Sequence, residues 1–175
     1  MIELRKVIKL CKAYVNSTKI PAFIIDDLGR PVEENEAGVG KIPDNTFCRF
    51  IQGSTQRRRE CFKAHLYGSY QAEKFGEAYV SFCPYGLIHW VAPILNDYHI
   101  RFSLVAGPVI MSKPEDTLIE EILMKNGLNE QEIIILQGRL EELPFVQPGR
   151  VNDLAILLFS LANYLSGVNR ESLLD

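Results

Sequence analysis

Three cysteines and one histidine have the residue types and the spacing of a metal-binding site. Cys61 and His65 are four residues apart, so on a helix they would lie one turn apart on the same face. Cys48 and Cys83 would complete a set of four soft ligands, which zinc and iron bind well. One hypothesis is therefore a zinc or iron site at Cys48, Cys61, His65 and Cys83.

The same residues allow other interpretations. Cysteine is often buried for its apolar character alone, and the chain has no CxxC pair, so thiols of the core explain the pattern equally well. A redox sensor would use the same cluster as its detector. A Cys-dependent enzyme would pair Cys61 with His65 or Cys83 with His89, but no orienting third group is recognisable. We therefore expect no enzyme, and we leave the core, metal and redox hypotheses open.

A small-molecule pocket is a further hypothesis for this part of the chain. Its polar groups would be the thiols, His89 and the Tyr85 hydroxyl, within a mainly apolar wall. Alternation along the strand predicted at 87–95 puts Leu87 and His89 on one face and Trp90 on the other, so only one face can line a pocket. Ordinary core packing is the simpler alternative for the aromatic candidates. Those candidates are Phe47, Tyr79, Phe82, Trp90 and Phe102.

The first half of the chain mixes helical and extended patterns. Apolar residues at three- and four-residue steps predict an N-terminal helix over 1–17. A β-prone run at 22–25 and an Asp/Gly turn predict a hairpin that returns through Pro31-Val32. Residues 33–45 are polar or small and predict a loop. Helices are predicted at 47–52 and 55–75, where proline is absent.

The second half begins with three runs rich in Val, Ile and aromatic residues, at 79–83, 87–95 and 99–110. They predict antiparallel strands, the last two joined by a turn at 96–97. Helices are predicted at 114–125, 129–140 and 150–170. The last helix has heptad spacing, which predicts a signalling or homodimerisation helix, although packing on its own domain explains the spacing equally well. The heptad residues are Val151, Leu154, Leu158, Leu161, Leu165 and Val168.

Composition limits the class of protein. A chain of 175 residues, 47% of them hydrophobic, predicts a single domain over 1–175. The order of elements predicts the α+β class, with a five-stranded antiparallel sheet flanked by helices and with N- and C-terminal helices. A net charge of −3 argues against direct nucleic-acid binding. No signal peptide or membrane span is recognisable, so we expect a cytoplasmic protein with reduced thiols.

A set of short motifs is spread along the chain. They are Cys48-Arg49, Cys61, Cys83, Gly86-Leu87, Pro93-Ile94 and Gly107-Pro108-Val109. In order and residue type this set resembles the PocR family of ligand-sensing domains. The resemblance implies a PAS-like fold that senses small hydrocarbon derivatives such as short diols, usually attached to an AraC-type helix-turn-helix, a histidine kinase or another output module. The functional residues that it implies are Cys48, Cys61, Cys83 and the Gly86-Leu87 turn.

The sequence as a whole thus predicts a small-molecule-binding sensory domain of a signal-transduction or transcription-regulatory system. Its partners would be a small ligand, an output domain or partner protein, and a second copy of the chain in a homodimer. The alternatives are a Cys/His metal or redox sensor and a Cys-dependent enzyme. The predicted ligand-binding residues are Phe47, Cys48, Cys61, Cys83, Tyr85, Gly86, Leu87 and Trp90.

Overall fold

The computed structural model describes residues 2–32, 46–111 and 118–167. Within these ranges the chain forms six α-helices and four β-strands, which confirms the α+β class. The helices are α1 (Leu4–Thr18), α2 (Thr46–Gln52), α3 (Thr55–Phe75), α4 (Leu118–Lys125), α5 (Glu130–Leu140) and α6 (Pro148–Ser166). The strands are β1 (Ala22–Asp26), β2 (Tyr79–Phe82), β3 (Ile88–Asn96) and β4 (His99–Val109).

The strands form one antiparallel sheet in the order β1-β4-β3-β2. The prediction of five strands is therefore wrong for the described part of the chain. The predicted return strand at Pro31-Val32 makes only an isolated bridge between Ile25 and Pro31. The Val32 amide still donates to the Ile24 carbonyl, but the described range ends at residue 32, so the pairing seen with β1 is no longer than this bridge. The PAS-like fold stays a prediction.

One face of the sheet is covered by α1 and α6. The even-numbered residues of β3 from Ile88 to Ile94 are buried on this face, together with Val7 and Tyr14 of α1. The predicted dimer seam lies here as well, because four of its residues are buried in this core and Leu161 packs against it. Those four are Val151, Leu154, Leu158 and Leu165.

The seam predicted for homodimerisation is thus part of the chain's own core, which corrects the prediction for these residues. The physical reason is that a three-four spacing is common to a coiled-coil seam and to any helix that lies on a sheet. The remaining seam residue, Val168, lies outside the described ranges.

The other face of the sheet is covered by α3. Phe23 and Ile25 of β1, Val91 of β3 and Val105 of β4 form a small buried cluster on this side. A second, larger cluster joins α2, α4 and α5 to the turn between β2 and β3. The cavity described below lies between these two groups.

The remaining boundaries agree with the sequence to within a few residues. α5 begins at a capping box, in which the Asn129 side chain accepts from the Glu132 amide and the Glu132 side chain accepts from the Asn129 amide. β3 and β4 are joined by Asp97 and Tyr98, one residue later than predicted, both with positive φ. α4 is described from Leu118, and the predicted start at 114 lies outside the described ranges. No helix in the described ranges has the length and apolarity needed to cross a membrane.

Candidate functional site

A cavity lies between α2, α3 and the face of the sheet that α3 covers. Its volume is about 30 Å³, which exceeds the roughly 10–15 Å³ that a cavity needs to hold one water molecule. The wall is mainly apolar, and among the residues that the structure describes none of the lining side chains is Asp, Glu, Lys or Arg. The lining residues are Phe23, Phe47, Cys48, Ile51, Gln52, Cys61, His65, Cys83, Tyr85, Leu87, His89, Val105, Gly107 and Pro108.

The helix α2 contributes four of these residues. Phe47 and Cys48 are followed one turn later by Ile51 and Gln52, so the spacing places all four on one face of this short helix. The first residue of α2, Thr46, is held from outside the cavity: its carbonyl accepts a 2.8 Å hydrogen bond from Arg139, and its hydroxyl donates to Glu142 at 2.6 Å. α2 is therefore tied to α5 and to the residues that follow α5.

The turn between β2 and β3 supplies Cys83, Tyr85 and Leu87. The Cys83 amide donates to the Leu87 carbonyl, and the Gly86 amide donates back to the Cys83 carbonyl. Gly86 has φ +83°, and a Cβ there would approach Ile122 of α4 to 3.0 Å, so glycine suits both the turn and the contact. Gly86 itself does not line the cavity; it shapes the turn that does.

A β-bulge brings Gly107 and Pro108 of β4 to the cavity wall. Ile88 pairs with Val109 and Trp90 pairs with Ala106, so Gly107 and Pro108 together oppose His89. Gly107 has φ +108°, and a Cβ there would lie 2.8 Å from the Ile88 carbonyl oxygen. Only glycine fits at this position without a shift of the backbone.

Three cysteines, Cys48, Cys61 and Cys83, line the cavity. Burial raises the pKa of the Cys61 thiol, and the nearby thiols of Cys83 and Cys48 raise it further. Burial also raises the pKa of Cys83. None of the four cysteines forms a disulfide. The thiols of Cys61 and Cys83 therefore stay protonated at neutral pH, which weakens them as nucleophiles.

The predicted zinc or iron site is not found in the described part of the chain. Across residues 2–32, 46–111 and 118–167 there is no group of three or more His, Cys, Asp or Glu side chains that could hold a metal ion. Cys48, Cys61, His65 and Cys83 line one cavity without forming such a group.

Two buried histidines form the polar part of the wall. The rings of His65 and His89 meet edge to face with their centroids 5.3 Å apart, and Phe23 meets His65 in the same way. Burial lowers the pKa of His65 to about 3, with a smaller contribution from His89. Burial likewise lowers the pKa of His89 to about 4. Both imidazoles are therefore neutral at pH 7.

The other residues predicted to line the pocket lie on different faces of the sheet. Leu87 and His89 line the cavity, whereas Trp90 lies on the opposite face, buried against α1 and α6. Phe102 lies in that same core, and the Phe82 side chain is 65% exposed.

Sequence reasoning did not single out several wall residues. For Gln52 the signal was its position one turn after Cys48. Gly107 and Pro108 were noted only within a family motif, although a Gly-Pro pair within a β-prone run is also typical of a bulge. The residues missed are Phe23, Ile51, Gln52 and Val105.

Comparison with known proteins gives one match. A family model described as the sensory domain found in PocR matches residues 1–169 of the 175. No curated protein and no solved structure matches the chain.

Proposed function

Because the chain belongs to the family of PocR sensory domains, we propose that its ligand binds in the cavity between α2, α3 and the sheet. The observation that carries this proposal is the convergence of separate family motifs on one wall. Cys48 comes from α2, Cys61 from α3, and Cys83 and Leu87 from the turn between β2 and β3, and all four residues line the cavity. A wall that is apolar with a few polar groups is the usual composition of a small-molecule site.

The ligand is a small, uncharged hydrocarbon derivative such as a short diol. The described part of the wall offers no charged side chain to neutralise a carboxylate or an ammonium group, and burying an unpaired charge is strongly unfavourable. The aromatic and aliphatic residues suit a carbon chain, and the imidazoles and Gln52 suit hydroxyl groups.

Ligand entry requires the cavity to expand. A cavity of about 30 Å³ is much smaller than the roughly 150 Å³ cavity that binds benzene in a well-studied protein. The short helix α2 supplies four wall residues, so its outward movement is the simplest way to enlarge the site. The occupied state would then differ from the structure described here in the position of α2.

Occupancy reaches an output module through the opposite face of the sheet. His89 lines the cavity, and its neighbour Trp90 donates a hydrogen bond to Tyr14 of α1. Tyr14 in turn donates to the Leu154 carbonyl of α6. A shift of β3 at His89 would thus also shift α1 and α6, through these two hydrogen bonds. The raised pKa of the Cys61 thiol favours this non-enzymatic role over that of a catalytic nucleophile.

The test combines binding with hydrogen exchange. Isothermal titration calorimetry with ethane-1,2-diol, propane-1,2-diol and propane-1,3-diol should show saturable binding of at least one of them. Hydrogen–deuterium exchange at saturation should change in α2 and in α6, while native mass spectrometry reports any ligand retained from the cell. Absence of binding by all three diols together with absence of a retained small molecule would overturn the proposal.

A further inference from the structure

Unpartnered polar atoms are concentrated at the cavity. In the described part of the chain, five buried side-chain nitrogen or oxygen atoms have no hydrogen-bond partner within the protein. Four of the five belong to residues of the cavity wall: Oε1 of Gln52, Nδ1 of His65, and both ring nitrogens of His89. Folded proteins leave few buried polar groups unsatisfied, and each one requires an explanation.

The backbone keeps His89 without a partner. The bulge places Gly107 and Pro108 opposite this residue, and neither has a side-chain donor or acceptor. Gly107 approaches so closely that a Cβ there would lie 3.2 Å from the His89 Cβ. Bulges often occur next to functional sites, where they re-aim a side chain. The geometry therefore provides the cavity with an imidazole whose two ring nitrogens are both unsatisfied.

A hydroxyl group complements these atoms. A neutral imidazole has one N–H donor and one nitrogen acceptor, and the Gln52 Oε1 atom is an acceptor. A hydroxyl group both donates and accepts, so it can satisfy either residue, whereas a carboxylate only accepts and an ammonium group only donates. Gln52 and His89 are 8% and 3% exposed. A bound hydroxyl group would therefore replace few hydrogen bonds between these side chains and bulk water.

Building on the proposed function, we infer that His89 and Gln52 determine the specificity of the cavity, and that they select ligands with two hydroxyl groups. His89 binds one hydroxyl and the Oε1 atom of Gln52 accepts from the other. The apolar wall, including Phe47 and Leu87, contacts the carbon atoms of the ligand. The two residues come from different elements, β3 and α2, so a bound diol would also join the moving helix to the sheet.

The test uses His89→Leu and Gln52→Met, which remove the polar atoms at similar side-chain volume. We expect each variant to weaken binding of ethane-1,2-diol, measured by calorimetry, at least tenfold. The melting temperature should stay the same or rise, because an unsatisfied buried polar atom is replaced by an apolar group. A purely structural role would instead lower the melting temperature. Glycolate, which has a carboxylate in place of one hydroxyl, should bind the unmodified protein at least tenfold more weakly than the diol.

Two controls accompany these variants. His89→Gln retains a donor and an acceptor and should recover part of the diol affinity. His99→Leu alters an exposed histidine of β4 and should leave binding unchanged.

Three results would overturn the inference. The first is diol binding by His89→Leu and Gln52→Met as tight as that of the unmodified protein, which would leave the proposed function intact. The second is a large fall in melting temperature in both variants, which would assign the polar atoms to folding. The third is absence of diol binding by the unmodified protein, which would overturn the proposed ligand class as well.

Discussion

Trp90 donates its indole N–H to the hydroxyl oxygen of Tyr14 across 3.2 Å, on the face of the sheet opposite the cavity. The Tyr14 hydroxyl donates in turn to the Leu154 carbonyl at 3.1 Å. These two bonds connect β3, α1 and α6 inside a core from which water is excluded, so the polar atoms of both large side chains are satisfied. Trp90 therefore acts on stability and on the terminal helices, rather than by contact with a ligand.

Replacing Trp90 should separate stability from binding. Trp90→Ala removes a fully buried ring and should lower the free energy of unfolding by about 3–5 kcal/mol. Trp90→Phe keeps much of the ring and should lower it by less, with diol affinity unchanged. Urea unfolding followed by circular dichroism measures both variants, and Tyr98→Ala is a matched control because that aromatic side chain is 92% exposed. A Trp90→Phe protein that is stable but fails to bind diol would place the indole in the site after all.

The neighbouring residues Leu157 and Leu158 provide a test of the role of α6. Leu158 is fully buried in the core, whereas Leu157 is 44% exposed. Leu158→Glu should lower the free energy of unfolding by at least about 3 kcal/mol, because it leaves a cavity and buries a charge. Leu157→Glu should change it by less than about 0.5 kcal/mol. Thermal unfolding gives the stabilities, and analytical ultracentrifugation gives the oligomeric state. A Leu158→Glu variant that becomes a folded monomer from a dimer would restore the dimer-seam hypothesis.

These residues show which parts of the fold follow from sequence. Spacing identified α1 and α6, a proline-free run of helix formers identified α3, and β-prone residue types identified β2, β3 and β4. Spacing could not decide what the apolar stripe of α6 contacts, since a coiled-coil partner and a sheet require the same residue types. The fifth strand was wrong for the described residues because the segment after the turn pairs with β1 only around Ile25 and Pro31.

The site was partly predictable for a similar reason. Alternation along β3 separated Leu87 and His89 from Trp90, but only tertiary structure shows which face is covered by α3 and which by α6. The contribution of Gln52 depends on how α2 is oriented by α5, a contact between residues that are distant in sequence. Local sequence patterns do not reveal contacts between residues that are distant in sequence.

The buried histidines should make stability depend on pH. The pKa values of His65 and His89 are lowered to about 3 and about 4 in the folded protein, against 6.5 when unfolded. As pH falls below 6.5, the unfolded chain binds protons that the folded chain does not, so stability is complete above 6.5 and decreases toward the folded pKa values. By pH 5 each histidine should contribute a loss of about 2 kcal/mol.

Urea titrations from pH 8 to pH 4.5 measure this dependence. The variant His89→Leu separates the histidines from the carboxylates, which also titrate at the lower end of the range. It should lose roughly half of the histidine contribution. Equal pH dependence of the variant and the unmodified protein would contradict the buried, neutral state of His89.

The thiols should react slowly in the folded protein. Burial raises the pKa of Cys11 to about 12, and it also raises the pKa of Cys61 and Cys83. Since the thiolate is the reactive form, these three should react with Ellman's reagent at pH 8 at least about tenfold more slowly than in guanidinium chloride. Rapid reaction of Cys61 or Cys83 in the folded protein would instead favour a redox sensor or a Cys-dependent enzyme.

Metal analysis tests the remaining alternative directly. Protein purified without added metal should contain zinc and iron far below one atom per chain by inductively coupled plasma mass spectrometry, because no group of three or more possible ligands is found among the described residues. Addition of EDTA should leave the melting temperature unchanged. One zinc or iron atom per chain, lost on Cys61→Ser, would support a metal centre at the cavity wall.

The two faces of β3 contact different parts of the protein, which limits the changes of length that this strand can accept. Because His89 and Trp90 lie on opposite faces, inserting one residue between Ile88 and His89 would place the indole in the ligand cavity and the imidazole in the α1/α6 core. Point substitutions can adjust either face separately, but a change of length exchanges them in one step. Relatives that sense different molecules are therefore expected to differ in residue types along this strand while keeping the number of residues in it constant.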